Sequence, residues 1–347
     1  MTILEKIIET KKIELEIVKK TISMEDLKKL PNFQRKSISL VNRLKNSSHG
    51  IIAEHKRKSP SKSIINESLK IDQIIQGYNQ ADVCGISVLT DEEYFGGSLS
   101  DLRNTRKLTN IPILRKEFII DKYQLIEAKA NGADVILLIA ACLGKNQISD
   151  LSAFAKEIDL EVLIEIHNEN ELQKCLIDTI DIIGVNNRNL KTFEVDIKTS
   201  IRLSNMIPEK FLKISESGIS NFDEINKLRN HGFKGFLIGE LFMRNNDPGK
   251  EVLDIIKNFN SESKFILDPH TATAFGAVKK IKNLSETIIL GTAHPYKFLE
   301  TVKKATGIEI TAPSQLSNAV DKEERFDILD NNISKIKKYI LEKVIWK

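Results

Sequence analysis

The sequence predicts an α/β protein: a (β/α)8 TIM barrel with an extra N-terminal helix, followed by a small α/β appendage. Three observations carry this. From residue 51, short apolar runs alternate eight times with helix-like stretches, a rhythm that means parallel strands with covering helices. Eight such units fill about 210 residues, the size of such a barrel. No GxGxxG opens a helix after the first strand, so the rival doubly wound sheet lacks its signature.

Residues 3–20 place Ile3, Leu4, Ile7, Ile8, Ile13, Leu15, Ile17 and Val18 at roughly helical spacing, predicting an amphipathic helix ahead of the barrel. Strands are predicted at 51–53, 83–89, 111–114, 134–139, 161–166, 181–185, 211–214 and 235–238. Between them, SDLRNTRKL, DKYQLIEAKANG, LSAFAKEID, NENELQKCLI and NFDEINKLRNHG read as helices. Asn131-Gly132 and His231-Gly232 each close a helix just before the next strand, which suits a left-handed C-cap.

Composition narrows the function classes. A chain of 347 residues, 41% hydrophobic and 29% charged, is an ordinary soluble globular protein. No apolar run of about 18 residues predicts a membrane span, and the charged N-terminus does not read as a signal peptide. Cys84, Cys142 and Cys175 are odd in number and have no CxxC spacing, so they read as reduced core thiols of a cytoplasmic protein. The six histidines are scattered without HxxxH or HExxH spacing, so no metal site is expected. The net charge of +4 lies entirely in residues 264–347, which hold 14 Lys/Arg against 10 Asp/Glu. That excess is too diffuse for a nucleic-acid binder.

Active sites of such barrels lie at the C-terminal strand ends. The first end, IIAEHKRKSP, places Ile52, Glu54 and Lys56 on one face of the strand. Taken alone it is a solvated strand end. The later ends carry Leu89-Thr90, Lys116, Glu165, Asn186 with Arg188, Glu216, and Gly239-Glu240. Six of eight ending on charged or amide side chains point to a site. Ser217-Gly218 and Gly239 follow the seventh and eighth strands, the usual phosphate site of the fold, with Lys56 nearby as a point charge. Two lysines and three glutamates in one mouth make pKa tuning expected and suit proton transfer at carbon. In that chemistry a lysine serves as acid, a glutamate as base, and a further glutamate stabilises positive charge. Cys84 and Cys142, beside apolar runs with no histidine at hand, read as core rather than nucleophiles.

The stretches IIAEHKRKSPSKS, ISVLTDEEYFGGSLSDL, IPILRKEFIIDKYQ, LIEIHNENEL, IIGVNNRNLKTF, ISESGI and FLIGELFM resemble, in order, the indole-3-glycerol phosphate synthase family. The resemblance spans residues 1 to about 258. It implies decarboxylating ring closure of 1-(2-carboxyphenylamino)-1-deoxyribulose 5-phosphate, releasing CO2 and water without a cofactor. It implies Lys116 as general acid, Glu165 as partner acid/base in the dehydration, and Glu54 as stabiliser of the iminium charge. On the same resemblance Lys56 holds anionic groups, and Ser59 lies in the substrate-binding stretch. Asn186, Arg188, Glu216 and Ser217 orient the sugar chain and aryl carboxylate, Gly218 and Gly239 line the phosphate site, and Phe95 and Phe118 pack on the aryl ring. Glu240 departs from the serine that some members carry in the phosphate loop.

The barrel domain is expected over 1–260 and a separate appendage over 264–347, after the polar stretch NFNSES. The appendage contains FILDPHTATAFGAVKKI, ETIILGTAHPYKFLETVKKATG and KEERFDILDNNISKIKKYI. These resemble the C-terminal end of threonine synthase, a pyridoxal-phosphate enzyme. Neither that family's Schiff-base lysine nor its phosphate loop can be located here, so Thr292 is the nearest carried-over site residue. His270 and His294 each open a helix beside a proline rather than form a metal site. The appendage reads as helix 272–282, strand 286–291, helix 295–305 and helix 332–344. The leading expectation is therefore a carbon–carbon lyase acting on a small phosphorylated molecule. The alternative is a non-catalytic fusion whose tail complements a truncated threonine synthase chain.

Overall fold

The computed structural model describes residues 2–60, 65–66, 69–190, 192–261, 269, 272–273, 294–307, 309–310, 329 and 331–343. The chain forms two compact units, 1–262 and 263–347.

In the first unit eight parallel strands close into a barrel in sequence order. They are β1 (Ile51–His55), β2 (Gly85–Leu89), β3 (Ile113–Lys116), β4 (Val135–Ile139), β5 (Glu161–Ile166), β6 (Ile182–Asn186), β7 (Leu212–Glu216) and β8 (Gly235–Ile238). β1 pairs with both β2 and β8, so no strand edge is left open. The alternation of strand side chains sorts the core into two shells. Ile52, Leu114, Leu137, Leu163, Ile182, Ile214 and Leu237 fill the barrel interior. Ile51, Ala53, Ile113, Ile136, Val162, Ile183 and Phe236 face the covering helices. Several strands extend past the predicted apolar runs, because hydrogen bonding continues under polar side chains: Leu89 is in register with Lys116, and Asn186 with Glu216. The ladder thus carries the site residues themselves.

The apolar pattern predicts no element within residues 21–50. There the helix Leu40–Asn46 inserts Leu40 and Leu44 into the interior cluster. A Cβ on Gly85 would lie 2.7 Å from Leu40 Cδ1, and one on Gly235 would lie 3.2 Å from Leu44 Cδ2. Glycine at the starts of β2 and β8 makes room for this plug. Gly132 and Gly232 adopt φ of 98° and 82°, the left-handed caps expected.

The N-terminal helix, α1 (Ile3–Thr21), starts on a capping box between Thr2 and Glu5. It buries Ile7, Lys11 and Leu15, while Ile13 and Ile17 are 64% and 61% exposed. The buried stripe therefore runs through a lysine rather than through those two isoleucines. Lys11 Nζ lies 2.8 Å from Asp91 and 3.4 Å from Glu117, ion pairs that compensate its desolvation.

In the second unit, His294 caps a short 3-10 turn (Pro295–Phe298), its ring Nδ1 accepting the Tyr296 N–H at 3.2 Å. The turn leads into a helix, Leu299–Thr306, that ends on left-handed Gly307. A further helix spans Ile333–Lys343. His270, Thr292, the predicted strand 286–291 and most of the predicted helix 272–282 lie outside the described residues. Among the described residues no helix is long and apolar enough to cross a membrane, and no group of three or more His, Cys, Asp or Glu could hold a metal ion.

Candidate active site

The C-terminal strand ends converge on one cavity. Glu54, Lys56, Ser59, Phe95, Lys116, Phe118, Glu165, Asn186, Arg188, Ser217, Gly218 and Gly239 all line it. Glu216, the remaining residue singled out in the sequence, does not. It is wholly buried beneath Lys116, whose Nζ donates to its Oε2 at 2.6 Å.

Lys116 stands at the centre. Besides Glu216, its Nζ is 3.5 Å from Glu54 Oε2 and 4.0 Å from Glu165 Oε2. Glu54 is held on its other oxygen by Lys56 at 2.8 Å and receives a long hydrogen bond from Ser87 at 3.4 Å. Beneath it, the buried Tyr78 hydroxyl donates to the Glu54 carbonyl at 3.2 Å. Burial would raise the Glu54 carboxyl, but Lys56 and Lys116 outweigh it and hold the group down to about 2. Burial would likewise discharge Lys116, yet the three surrounding carboxylates raise its pKa, so it remains an ammonium. Glu216 goes the other way. Burial, reinforced by the negative Glu165 and Glu54, outweighs Lys116 and pushes it up to about 7. Three carboxylates share two lysines here, and the most deeply buried one takes up the imbalance. Its Oε1 makes no hydrogen bond among the described residues, and a Cβ on Gly184 would lie 2.3 Å from it. Glycine in β6 therefore makes room for this carboxyl.

Just past β7, Ser217 and Gly218 both have positive φ, 65° and 74°. A Cβ on Gly218 would lie 2.2 Å from Val195 Cγ1, and one on Gly239 would lie 2.6 Å from Glu54 Oε1. Gly218, at positive φ, thus needs glycine, and a side chain at Gly239 would displace the Glu54 carboxylate. Arg188 Nη1 donates to the Phe193 carbonyl at 3.1 Å, and Nη2 lies 3.8 Å from Glu240 Oε2. Glu240 also pairs with Arg244, so its carboxylate is flanked by two guanidinium groups. Phe95 and Phe118 face each other with ring centroids 6.0 Å apart, forming an apolar wall near Lys116.

Several cavity residues lie outside the strand ends that the sequence singles out. Ile3, Leu4 and Ile7 of α1 line the mouth, as do Leu190 and Phe193 after β6. Nothing in the local pattern of α1 says where it docks. His167 also went unassigned, although it follows Glu165 by two residues and the strand period alone would have put it on the same side. One sequence reading is corrected. Cys84 does have a histidine at hand, since its Sγ lies 4.0 Å from His49 Nδ1. Burial nonetheless raises the thiol and holds His49 down to about 4, so the pair is neutral and packed rather than activated.

Comparison with known proteins gives two matches along the chain. The family described as "Indole-3-glycerol phosphate synthase" matches residues 4–255, and "Threonine synthase, C-terminal" matches residues 271–340. The indole-3-glycerol phosphate synthase of Bacteroides thetaiotaomicron is 46% identical over 255 residues, covering 74% of this chain and 98% of that protein. That of Prochlorococcus marinus is 44% identical over 253 residues, covering 71% and 86%. A third, from Acinetobacter baumannii, is 41% identical over 248 residues, covering 71% and 92%.

Proposed function

The chain belongs to the indole-3-glycerol phosphate synthase family, and from that premise we propose how the residues of its barrel mouth close the indole ring. The barrel is a carboxy-lyase of tryptophan biosynthesis that converts a phosphorylated carboxyphenylamino-deoxyribulose into indole-3-glycerol phosphate, CO2 and water.

The placement of Lys116 carries the reading. Held protonated by three carboxylates, it is a general acid aimed into the cavity. It protonates the substrate's ketone oxygen as the aryl carbon attacks. After CO2 leaves, it protonates the resulting hydroxyl so that water departs. Glu165 takes the carbon-bound proton in that dehydration. Glu54, fully ionised above pH 4, faces the iminium charge that develops between the two steps. Lys56 and the backbone around Ser217, Gly218 and Gly239 hold the phosphate, and Ser59, which also lines the cavity, contacts the substrate. Asn186 and Arg188 orient the sugar chain and aryl carboxylate, and Phe95 with Phe118 flanks the ring. Glu216 acts from beneath by fixing the Lys116 ammonium. This assignment predicts that Lys116→Met lowers kcat by at least about 10²-fold, the lower range for loss of a general acid. A folded Lys116→Met variant that forms product at the wild-type rate contradicts it.

The free thiols Cys84, Cys142 and Cys175 support a reducing, cytoplasmic setting. The match over residues 271–340 supports a separate reading of the tail, as a segment that pairs with a threonine synthase chain lacking its own C-terminal part. Co-purification of such a chain with the full protein, lost on deletion of residues 264–347, tests it. Absence of co-purification removes it.

A further inference from the structure

The reaction does not balance on the substrate alone. The aryl carboxylate enters charged and leaves as neutral CO2, its bonding pair staying on the ring carbon to restore the aromatic system that attack on the ketone had interrupted. The ketone oxygen collects two protons on its way to water, and the substrate's methylene gives up one. Each turnover therefore consumes one proton from outside. Lys116 supplies both protons to oxygen, and Glu165, 4.0 Å away, can return only the one it takes from carbon. The second must enter a mouth that bound substrate occupies.

Behind Glu165 stands a chain of titratable groups that the mechanism does not use. His167 does not line the cavity. Its Nε2 lies 3.4 Å from Glu165 Oε1, is buried, and makes no hydrogen bond elsewhere among the described residues. Its Nδ1 lies 3.1 Å from Glu171 Oε2, which also accepts the His167 backbone N–H at 2.8 Å. Asn168 fixes the other Glu171 oxygen at 2.7 Å. Side-chain exposure rises outward along the chain, from 6% at Glu165 to 11% at His167 and 14% at Glu171. The geometry points to Glu165, His167 and Glu171 as the conduit by which the proton consumed in each turnover reaches the active site.

Each link is suited to the task. The proton that Nε2 passes to Glu165 is replaced at Nδ1 through the outer Glu171, and exchange of the two imidazole tautomers resets the relay. Burial opposes the imidazolium, but Glu171, Glu165 and, from β7, Glu216 raise its pKa above the ordinary value. Cys142, packed near both glutamates, is pushed up to about 12 by burial and by those carboxylates, so it stays a thiol. Lys174 is occupied by the Leu143 and Ala140 carbonyls. The 3.4 Å link is long, as catalytic hydrogen bonds commonly are before substrate binds. His167 acts through Glu165 and is a positioning residue rather than a catalytic one.

The inference rests on Glu165 as the acid/base of the dehydration, and one experiment separates the two. His167→Ala, Glu171→Gln and Glu165→Gln are made in the full chain and assayed for kcat and KM from pH 6 to 9, with and without added imidazole. His167→Ala is expected to lower kcat about tenfold, less than loss of a whole acid/base group. Its KM should be unchanged, its deficit should widen as pH rises and solvent protons become scarce, and imidazole should restore most of the rate. Glu171→Gln, which leaves the imidazole in place, should show a smaller loss with the same pH trend. It decides the matter if His167→Ala does not fold. Wild-type kcat in both variants, or losses that neither imidazole nor pH alters, overturn the conduit. Normal turnover by Glu165→Gln overturns the Glu165 reading beneath it, whereas an inactive Glu165→Gln with unaffected His167→Ala and Glu171→Gln removes the conduit alone.

Discussion

Glu54 and Glu216 both lie within 3.5 Å of the same ammonium, yet their environments pull them apart, one held to about 2 and the other pushed to about 7. That separation lets one carboxylate remain charged against a cationic intermediate while the other takes up the surplus charge. It also makes a stability prediction. With its folded pKa raised above the ordinary 4.5, Glu216 binds more protons in the folded than in the unfolded state, so its contribution falls as pH rises from about 4.5 through 7. Gln mimics the protonated form. The urea midpoint of Glu216→Gln relative to wild type should therefore be higher at pH 8 than at pH 5, and an equal offset at both pH values contradicts this. Glu54 has the opposite sign: its stabilisation is present above about 4.5 and is lost as pH falls toward 2. The charged strand ends were legible one by one, because lysine and glutamate are conspicuous at the end of an apolar run. Glu216's depth was not, since it depends on Gly184 in the neighbouring strand, and neither was His49 beside Cys84, which comes from a different segment.

At the scale of elements, α1 contributes more than its amphipathic pattern suggests. Lys11, only 4% exposed, ties the helix to Asp91 and Glu117. Those two residues sit in the loops that carry the aromatic wall. Asp91 Oδ1 accepts the N–H groups of Tyr94 and Phe95, and Glu117 Oε1 accepts that of Phe118. The same helix presents Ile3, Leu4 and Ile7 to the cavity. Lys11→Met leaves the buried Asp91 carboxylate without its cation and Glu117 with Arg115 alone, 3.8 Å away, a loss expected at about 3–5 kcal/mol. It should also raise KM more than it lowers kcat, because the aromatic loops lose their anchor while Lys116 is untouched. Denaturant unfolding and steady-state kinetics on one preparation check both, and a destabilisation below 1 kcal/mol with unchanged KM contradicts the anchoring. Helical spacing identified α1, but periodicity alone treated Ile13 and Ile17 as equal to Ile7. Only the docking site, and the acids waiting there, select the face that contains Lys11.

At the scale of the whole molecule, the barrel was legible because eight repeats of one pattern reinforce each other, and closure then follows from pairing β1 with β8. The plug helix Leu40–Asn46 was not, since it is short and interrupts no rhythm. The second unit matches the family described as "Threonine synthase, C-terminal" over residues 271–340. On the proposed function the first unit performs the chemistry by itself. It closes its own strand edges, contains its own two-shell core and holds every proposed active-site residue. The direct measurement is the rate of indole-3-glycerol phosphate formation from the carboxyphenylamino-deoxyribulose phosphate, followed by indole fluorescence, for the full chain and for residues 1–262. Equal kcat/KM is expected for the two. A folded 1–262 chain that forms no product, while the full chain does, would contradict it.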